Sequence, residues 1–241
     1  MTNDEGATTF VIRHSSFTPM VRVKICGITN EGDARTSIAL GASALGFNTW
    51  PGSKRYLDLA NAGAWIAELP PFVTRVALLV NATMEEAERV ARLPFIDALQ
   101  LHGDEDAAYC AAVARFGRPL IKALRLRSAA DLAGLERFAT RHFLIDAHVE
   151  GQFGGTGVAA DLALAKEFSA RYPDATLILA GGLRPENVAA AVREVRPFGV
   201  DVSSGVEAEA GRKDAALVRA FVEAAWSAQS PVRSHPSRSE D

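Results

Sequence analysis

The sequence predicts an α/β fold, a single closed (β/α)8 TIM barrel, and three observations predict it. Short runs rich in Val, Ile and Leu recur eight times, Ala-rich stretches of helical period separate them, and polar or Gly-rich segments follow their C-terminal ends. Continuous apolar runs, as opposed to alternating ones, mark strands buried on both faces, as parallel strands covered by helices are. Eight such units in 241 residues match a closed barrel, whereas an open doubly wound sheet usually has fewer strands and a ligand crevice at a switch point. With 48% hydrophobic residues, a chain of this length buries roughly 70–75% of its unfolded surface around one core.

The elements follow in order. The first strand is read at VRVKIC (21–26), and Asn30 with Asp33 starts a helix near 31–40. ALGF (44–47) leads to a helix near 57–68, RVALLV (75–80) to one near 83–92, and ALQLH (98–102) to one near 104–116. LIKAL (120–124) precedes a helix near 128–139, and HFLIDA (142–147) one near 160–171. TLILAG (176–181) precedes one near 185–195, where Pro185 suits a first turn because its fixed φ fits a helix and its missing N–H is unbonded there anyway. GVDVSS (199–204) precedes the last, near 212–226. The barrel domain is therefore assigned to residues 20–227. Residues 1–19 open with acids and lack a long apolar core, so a flexible extension is expected there and not an export signal. Residues 228–241, rich in Ser, Pro and charge, are expected to be a disordered tail.

Composition narrows the function. A formal net charge of −3 exerts no general pull on nucleic acid or acidic membranes, so the expected partner is a small molecule. No uncharged apolar run is long enough to span a bilayer. Two cysteines, Cys26 and Cys110, make neither a disulfide framework nor a zinc-ligand set, and they fit a reducing cytoplasm. No GxxxxGK[ST], GxGxxG or HExxH pattern is present, so nucleotide and zinc chemistry have no support. Between monomer and homodimer the sequence does not choose.

In a barrel of this kind the chemistry sits where the loops after the strands converge. GGLRPEN and SSGVE, after strands 7 and 8, place Gly181, Gly182, Ser203, Ser204 and Gly205 where such barrels often hold a phosphate. The rival reading is that the glycines only permit tight turns. Asp146 closes strand 6, where partial desolvation favours a protonated general acid; a carboxylate accepting amides of the following loop is the alternative. Cys26 ends strand 1 and is either a base, if positive charge lowers its pKa, or an inert core thiol. Cys110, in AAYCAAVA, is read as packing. Arg55 can grip a carboxylate bidentately, which Lys54 can do only as a point charge; the alternative is a solvated surface arginine. His102 and Asp201, at the ends of strands 4 and 8, either bond substrate hydroxyls or stabilise loops.

Taken together, VKICGIT (23–29), SKRY (53–56), LQLHGDE (99–105), LIDA (144–147), GGTG (154–157), LAGGLRPENV (179–188) and RPFGVDVSSGVE (196–207) resemble phosphoribosylanthranilate isomerase of the tryptophan pathway. The matches run in the family's order across nearly all of residues 21–226. The resemblance implies an Amadori rearrangement of N-(5-phosphoribosyl)anthranilate to the 1-deoxyribulose phosphate. It implies Asp146 as the acid that opens the furanose ring and Cys26 as the base that removes the C2 proton. Arg55 would hold the anthranilate carboxylate, and His102 and Asp201 would line the sugar site. Gly154 and Gly155 would join the strand-7 and strand-8 loops around the phosphate. No cofactor or metal is implied, because the imine formed within the substrate is itself the electron sink. Departures fall at AADLA (159–163), VALLVN (76–81), Asn48 and Gly52, and they touch packing and loop shape more than acid or base. Related phosphate-binding barrels fit less well. Indole-glycerol-phosphate synthase needs a Lys and Glu set, and a dual-substrate sugar isomerase would carry Asp where Cys26 stands. A barrel that binds a phosphorylated metabolite without turning it over is the non-enzymatic alternative, and the presence of both Cys26 and Asp146 speaks against it.

Overall fold

The computed structural model describes residues 20–146 and 157–228. The extension expected over 1–19, Gly154 and Gly155 of the loop after strand 6, and the tail from 229 onward lie outside the described residues. Eight parallel strands close into a barrel in chain order. They are β1 (Arg22–Cys26), β2 (Ala44–Asn48), β3 (Thr74–Leu79), β4 (Ala98–Leu101), β5 (Leu120–Leu124), β6 (His142–Asp146), β7 (Thr176–Ala180) and β8 (Gly199–Val202). Register across β1 sets the later geometry: Lys24 lies beside Asp201 of β8, and Cys26 beside Gly46 of β2.

Among the described residues, seven α-helices cover the barrel: α1 (Glu31–Ala39), α2 (Leu59–Ala67), α3 (Met84–Ala91), α4 (Ala107–Ala114), α5 (Gly157–Arg171), α6 (Val188–Val195) and α7 (Ala215–Ser227). Side-chain caps explain most starts, since an oxygen placed just before the first turn accepts an amide that the helix leaves unbonded. Asn30 accepts from Asp33, Asp58 from Ala60, Asp106 from Tyr109 and Asp214 from Ala216 and Leu217, while Thr83 and Glu86 form a reciprocal capping box. Among the described residues, no helix is long and apolar enough to cross a membrane.

The apolar residues divide by strand periodicity. Val23 and Ile25 of β1, Leu99 and Leu101 of β4, and Val200 and Val202 of β8 point outward into the layer between strands and helices. Val76, Ala98, Ile121, Ala123, Leu144 and Ala180 fill the barrel interior. The same alternation turns Lys24, Cys26, Gln100 and Asp201 inward, and all four are buried.

Three expectations are corrected. The helix expected near 128–139 is two 3-10 turns, Ala129–Leu132 and Leu135–Arg137. Gly134 between them takes a left-handed φ of +74°, which no helix continues through, and the turns still bury Leu132 and Leu135. Pro185 lies in a turn ahead of α6, which begins at Val188. There the Asn187 side chain accepts from the Arg184 amide and donates to the Gly182 carbonyl, so the turn is closed before the helix starts. Beyond β8 the chain makes a 3-10 turn (Ser204–Val206) and a small antiparallel hairpin, β9 (Glu207–Glu209) with β10 (Arg212–Lys213), in place of a longer strand and an earlier helix start.

Candidate active site at the barrel mouth

At the C-terminal ends of the strands lies a cavity of about 490 Å³. Its lining includes Cys26, Arg55, His102, Asp146, Gly181, Gly182, Asp201, Ser203, Ser204 and Gly205, which is every site residue expected from sequence that the structure describes. Asn48, Trp50, Leu78, Arg125 and Arg184 also line it, and sequence reasoning had assigned them no role in it.

Cys26 is 7% exposed and sits where β1 ends. Burial, the largest influence, pushes its thiol above the ordinary range, and the charge of Asp201 adds to this; Lys24 and Lys213 pull the other way. Lys24 donates to Asp201 Oδ1 at 2.6 Å, so the Asp201 carboxylate expected at the sugar site also anchors a lysine beneath it.

Asp146 ends β6 with its carboxyl partly exposed to the cavity, and its Oδ2 lies 3.9 Å from His102 Nε2. His102 follows β4. Its Nδ1 lies 2.9 Å from Gln100 Nε2, a contact that holds the ring and leaves Nε2 facing Asp146.

Arg55 is gripped by Glu207, to which Nε donates at 2.8 Å and Nη2 at 2.6 Å. Lys213 donates to the same carboxylate at 2.7 Å. Burial alone would raise the Glu207 pKa, but the hydrogen bonds and charges of Arg55 and Lys213 hold it below the usual range. The hydrogen bonds to Glu207 in turn raise the Arg55 pKa despite partial burial. Ser53 and Asn48 shape the loop that presents Arg55. Ser53 Oγ accepts from the Arg55 amide at 3.0 Å and from Asn48 Nδ2 at 3.1 Å, so Asn48 has a structural task. Glu207 and Lys213 were missed as parts of the site because they stand on the hairpin after β8, which no periodicity announced. The run SSGVE was the available signal.

The walls after β7 and β8 are built from small residues. Gly181 and Gly182 have φ of +85° and +61°, left-handed values that glycine adopts without strain. Gly205 has no such φ; a β-carbon there would collide with the Leu183 carbonyl, so the two loops touch through it. Ser203 Oγ is buried and has no hydrogen-bond partner among the described residues. The five residues thus share one wall of the cavity whether or not each glycine also serves a turn.

The model of the family described as N-(5'phosphoribosyl)anthranilate (PRA) isomerase matches residues 23–224. An N-(5'-phosphoribosyl)anthranilate isomerase of Magnetococcus marinus is 44% identical over 209 residues, which is 87% of this chain and 97% of that protein. The crystal structure of phosphoribosyl anthranilate isomerase from Thermotoga maritima is 42% identical, with a TM-score of 0.76 over 86% of this chain and 98% of that one. A structure of such an isomerase in complex with reduced 1-(o-carboxyphenylamino)-1-deoxyribulose 5-phosphate is 41% identical, with a TM-score of 0.74 over 86% of this chain and 98% of that one. Sequence and backbone therefore agree from the first strand to the last helix, and the chain belongs to the N-(5'-phosphoribosyl)anthranilate isomerase family.

Proposed function

We propose that the barrel mouth carries out the Amadori rearrangement of N-(5-phosphoribosyl)anthranilate with Asp146 as general acid and Cys26 as general base. The chain is an isomerase of tryptophan biosynthesis, and the proposal concerns which residues perform the reaction. The observation that carries it is that the β1 thiol and the β6 carboxyl line one cavity, from strands that are not neighbours in the barrel. Asp146, protonated, donates to the furanose ring oxygen; the C1–O bond breaks and the nitrogen lone pair forms a C1=N bond. Cys26 as thiolate takes the C2 proton, and the electrons of that bond form C1=C2 as the imine nitrogen becomes neutral. The enolamine then takes a proton at C1 and loses the O2 proton, giving the ketone, and exchange with water resets acid and base.

The remaining residues bind. Two of the five N–H donors of Arg55 are committed to Glu207, which leaves three for the anthranilate carboxylate. His102 and the second oxygen of Asp201 serve the sugar hydroxyls. The wall of Gly181, Gly182, Ser203, Ser204 and Gly205 takes the phosphate, joined by Gly154 and Gly155 as the family resemblance implies. The partner is accordingly a small phosphorylated substrate, and the cytoplasm is the expected compartment for a chain whose described cysteines, Cys26 and Cys110, are both free.

The test follows the loss of anthranilate fluorescence with freshly formed substrate. Cys26→Ser and Asp146→Asn are each expected to lower kcat by about 10²–10⁴, the usual worth of a general acid or base. Near-parent turnover in both variants would overturn the assignment.

A further inference from the structure

β1 carries, two residues before Cys26 and on the same inward face, a lysine that the reaction as described does not use. Lys24 is 5% exposed, and Asp201, its register neighbour on β8, accepts its hydrogen bond at 2.6 Å. On the other side, Gly46 of β2 stands in register with Cys26. A β-carbon on Gly46 would lie 2.8 Å from Cys26 Sγ and 2.9 Å from Lys24 Nζ. Thiol and ammonium therefore both border the space that the missing side chain leaves open.

The charges around the sulfur come from four sides. Lys24 stands on β1, Asp201 on β8, Lys213 on β10 and Arg55 in the loop after β2, with Glu207 of β9 between the last two cations. Three cations face two carboxylates, so the cluster carries a formal +1 with a neutral thiol and none with a thiolate. Ionising a buried thiol is costly when it leaves a charge uncompensated, and here it removes an excess. Arg55 and Lys213 already share Glu207, whereas the Lys24 ammonium has three N–H donors, of which Asp201 takes one at 2.6 Å while the thiol of Cys26 lies within reach of another.

Resting on the reading of Cys26 as the base, we propose that Lys24 is a positioning residue for the Cys26 thiolate, its ammonium fixed by Asp201 and held against the sulfur by the gap at Gly46. Lys24 stays protonated throughout. Burial works against its charge, but Asp201 and Cys26 together raise its pKa above the usual lysine range. In the transfer step the C2–H bond breaks, the S–H bond forms, and the lysine exchanges no proton.

The experiment measures the rate at which iodoacetamide alkylates Cys26 as a function of pH, with Cys26→Ser as the blank for Cys110, alongside the pH profile of kcat/KM. In Lys24→Met the alkylation midpoint is expected to rise by about one pH unit or more, as loss of a close opposite charge requires. At neutral pH kcat/KM is expected to fall about tenfold or more through kcat, and to recover as pH rises. Lys24→Met/Asp201→Asn, which leaves no unpaired buried carboxylate, should fold even if the single variant does not. It should show a smaller upward shift, because the opposing charge of Asp201 leaves as well. A midpoint unmoved in both variants, in a protein whose turnover needs Cys26, overturns the role of Lys24 alone. Near-parent turnover in Cys26→Ser overturns the base assignment instead, and the alkylation midpoints then still decide whether Lys24 holds the thiolate.

Discussion

Arg55 divides its guanidinium between the protein and the cavity: Nε and Nη2 are tied to Glu207, and among the described residues its remaining donors meet no other acceptor. Lysine at this position keeps the charge but not the planar fork. Arg55→Lys is therefore expected to raise KM about tenfold, the equivalent of one hydrogen bond to a charged group, with a smaller change in kcat. Steady-state kinetics check this, and an unchanged KM would mean that the carboxylate is held elsewhere. Cys26 makes a complementary case. Because burial pushes its thiol upward, kcat/KM should climb as pH rises through the neutral range if the thiolate is the base. A flat profile there would argue against a thiolate base.

Loops and helix starts carry the site at the scale of elements. Glu105, on the segment between β4 and α4, accepts from the amides of Asn81 and Gly103 and from Lys122 Nζ at 2.6 Å. The loops after β3 and β4 are thereby tied to β5, next to His102. Lys122 and Glu105 are both buried, so Lys122→Met leaves an unpaired carboxylate and is expected to cost about 3–5 kcal/mol, measured by denaturant unfolding. The capping box of α3 stands outside the cavity lining. Thr83→Ala should cost about 1 kcal/mol and leave kcat unchanged, which separates stabilising the helix from serving the reaction.

The whole molecule depends on burying charges in pairs. Lys24 with Asp201, Lys122 with Glu105 and Lys213 with Glu207 are ion pairs whose side chains are all less than a tenth exposed. Burial by itself would raise the pKa of Glu105, but hydrogen bonds from Lys122 and from Asn81, with the lysine charge, hold it below its ordinary value of 4.5. A carboxyl lowered in the folded state binds fewer protons there than in the unfolded chain over the window between the two pKa values. Its contribution is thus complete above 4.5 and is lost as pH falls through the lowered value. Tm should accordingly drop as pH falls below about 4.5, and Glu105→Gln should flatten that limb. An acid limb as steep in the variant as in the parent would place the loss elsewhere.

Much of this was legible in one dimension. Eight apolar runs in the right order, set against helical stretches, sufficed for the barrel, because a strand buried on both faces must be apolar along its length. The rule that loops after the strands form the mouth then placed Cys26, His102, Asp146 and Asp201 at one end without knowledge of any distance. The helix expected near 128–139 failed at Gly134, where a left-handed φ interrupts a favourable apolar pattern. The hairpin of β9 and β10 was invisible because three and two residues carry no period. What the tertiary structure alone decided was which charges meet. Lys24 and Asp201 are 177 positions apart and Arg55 and Glu207 152, and only barrel closure and the hairpin bring each pair together. The chemistry available to a buried thiol depends on neighbours across the sheet. Sequence could therefore place Cys26 at the mouth with Lys24 on the same face of its strand, while folding decided that Asp201 and the space left by Gly46 lie beside them.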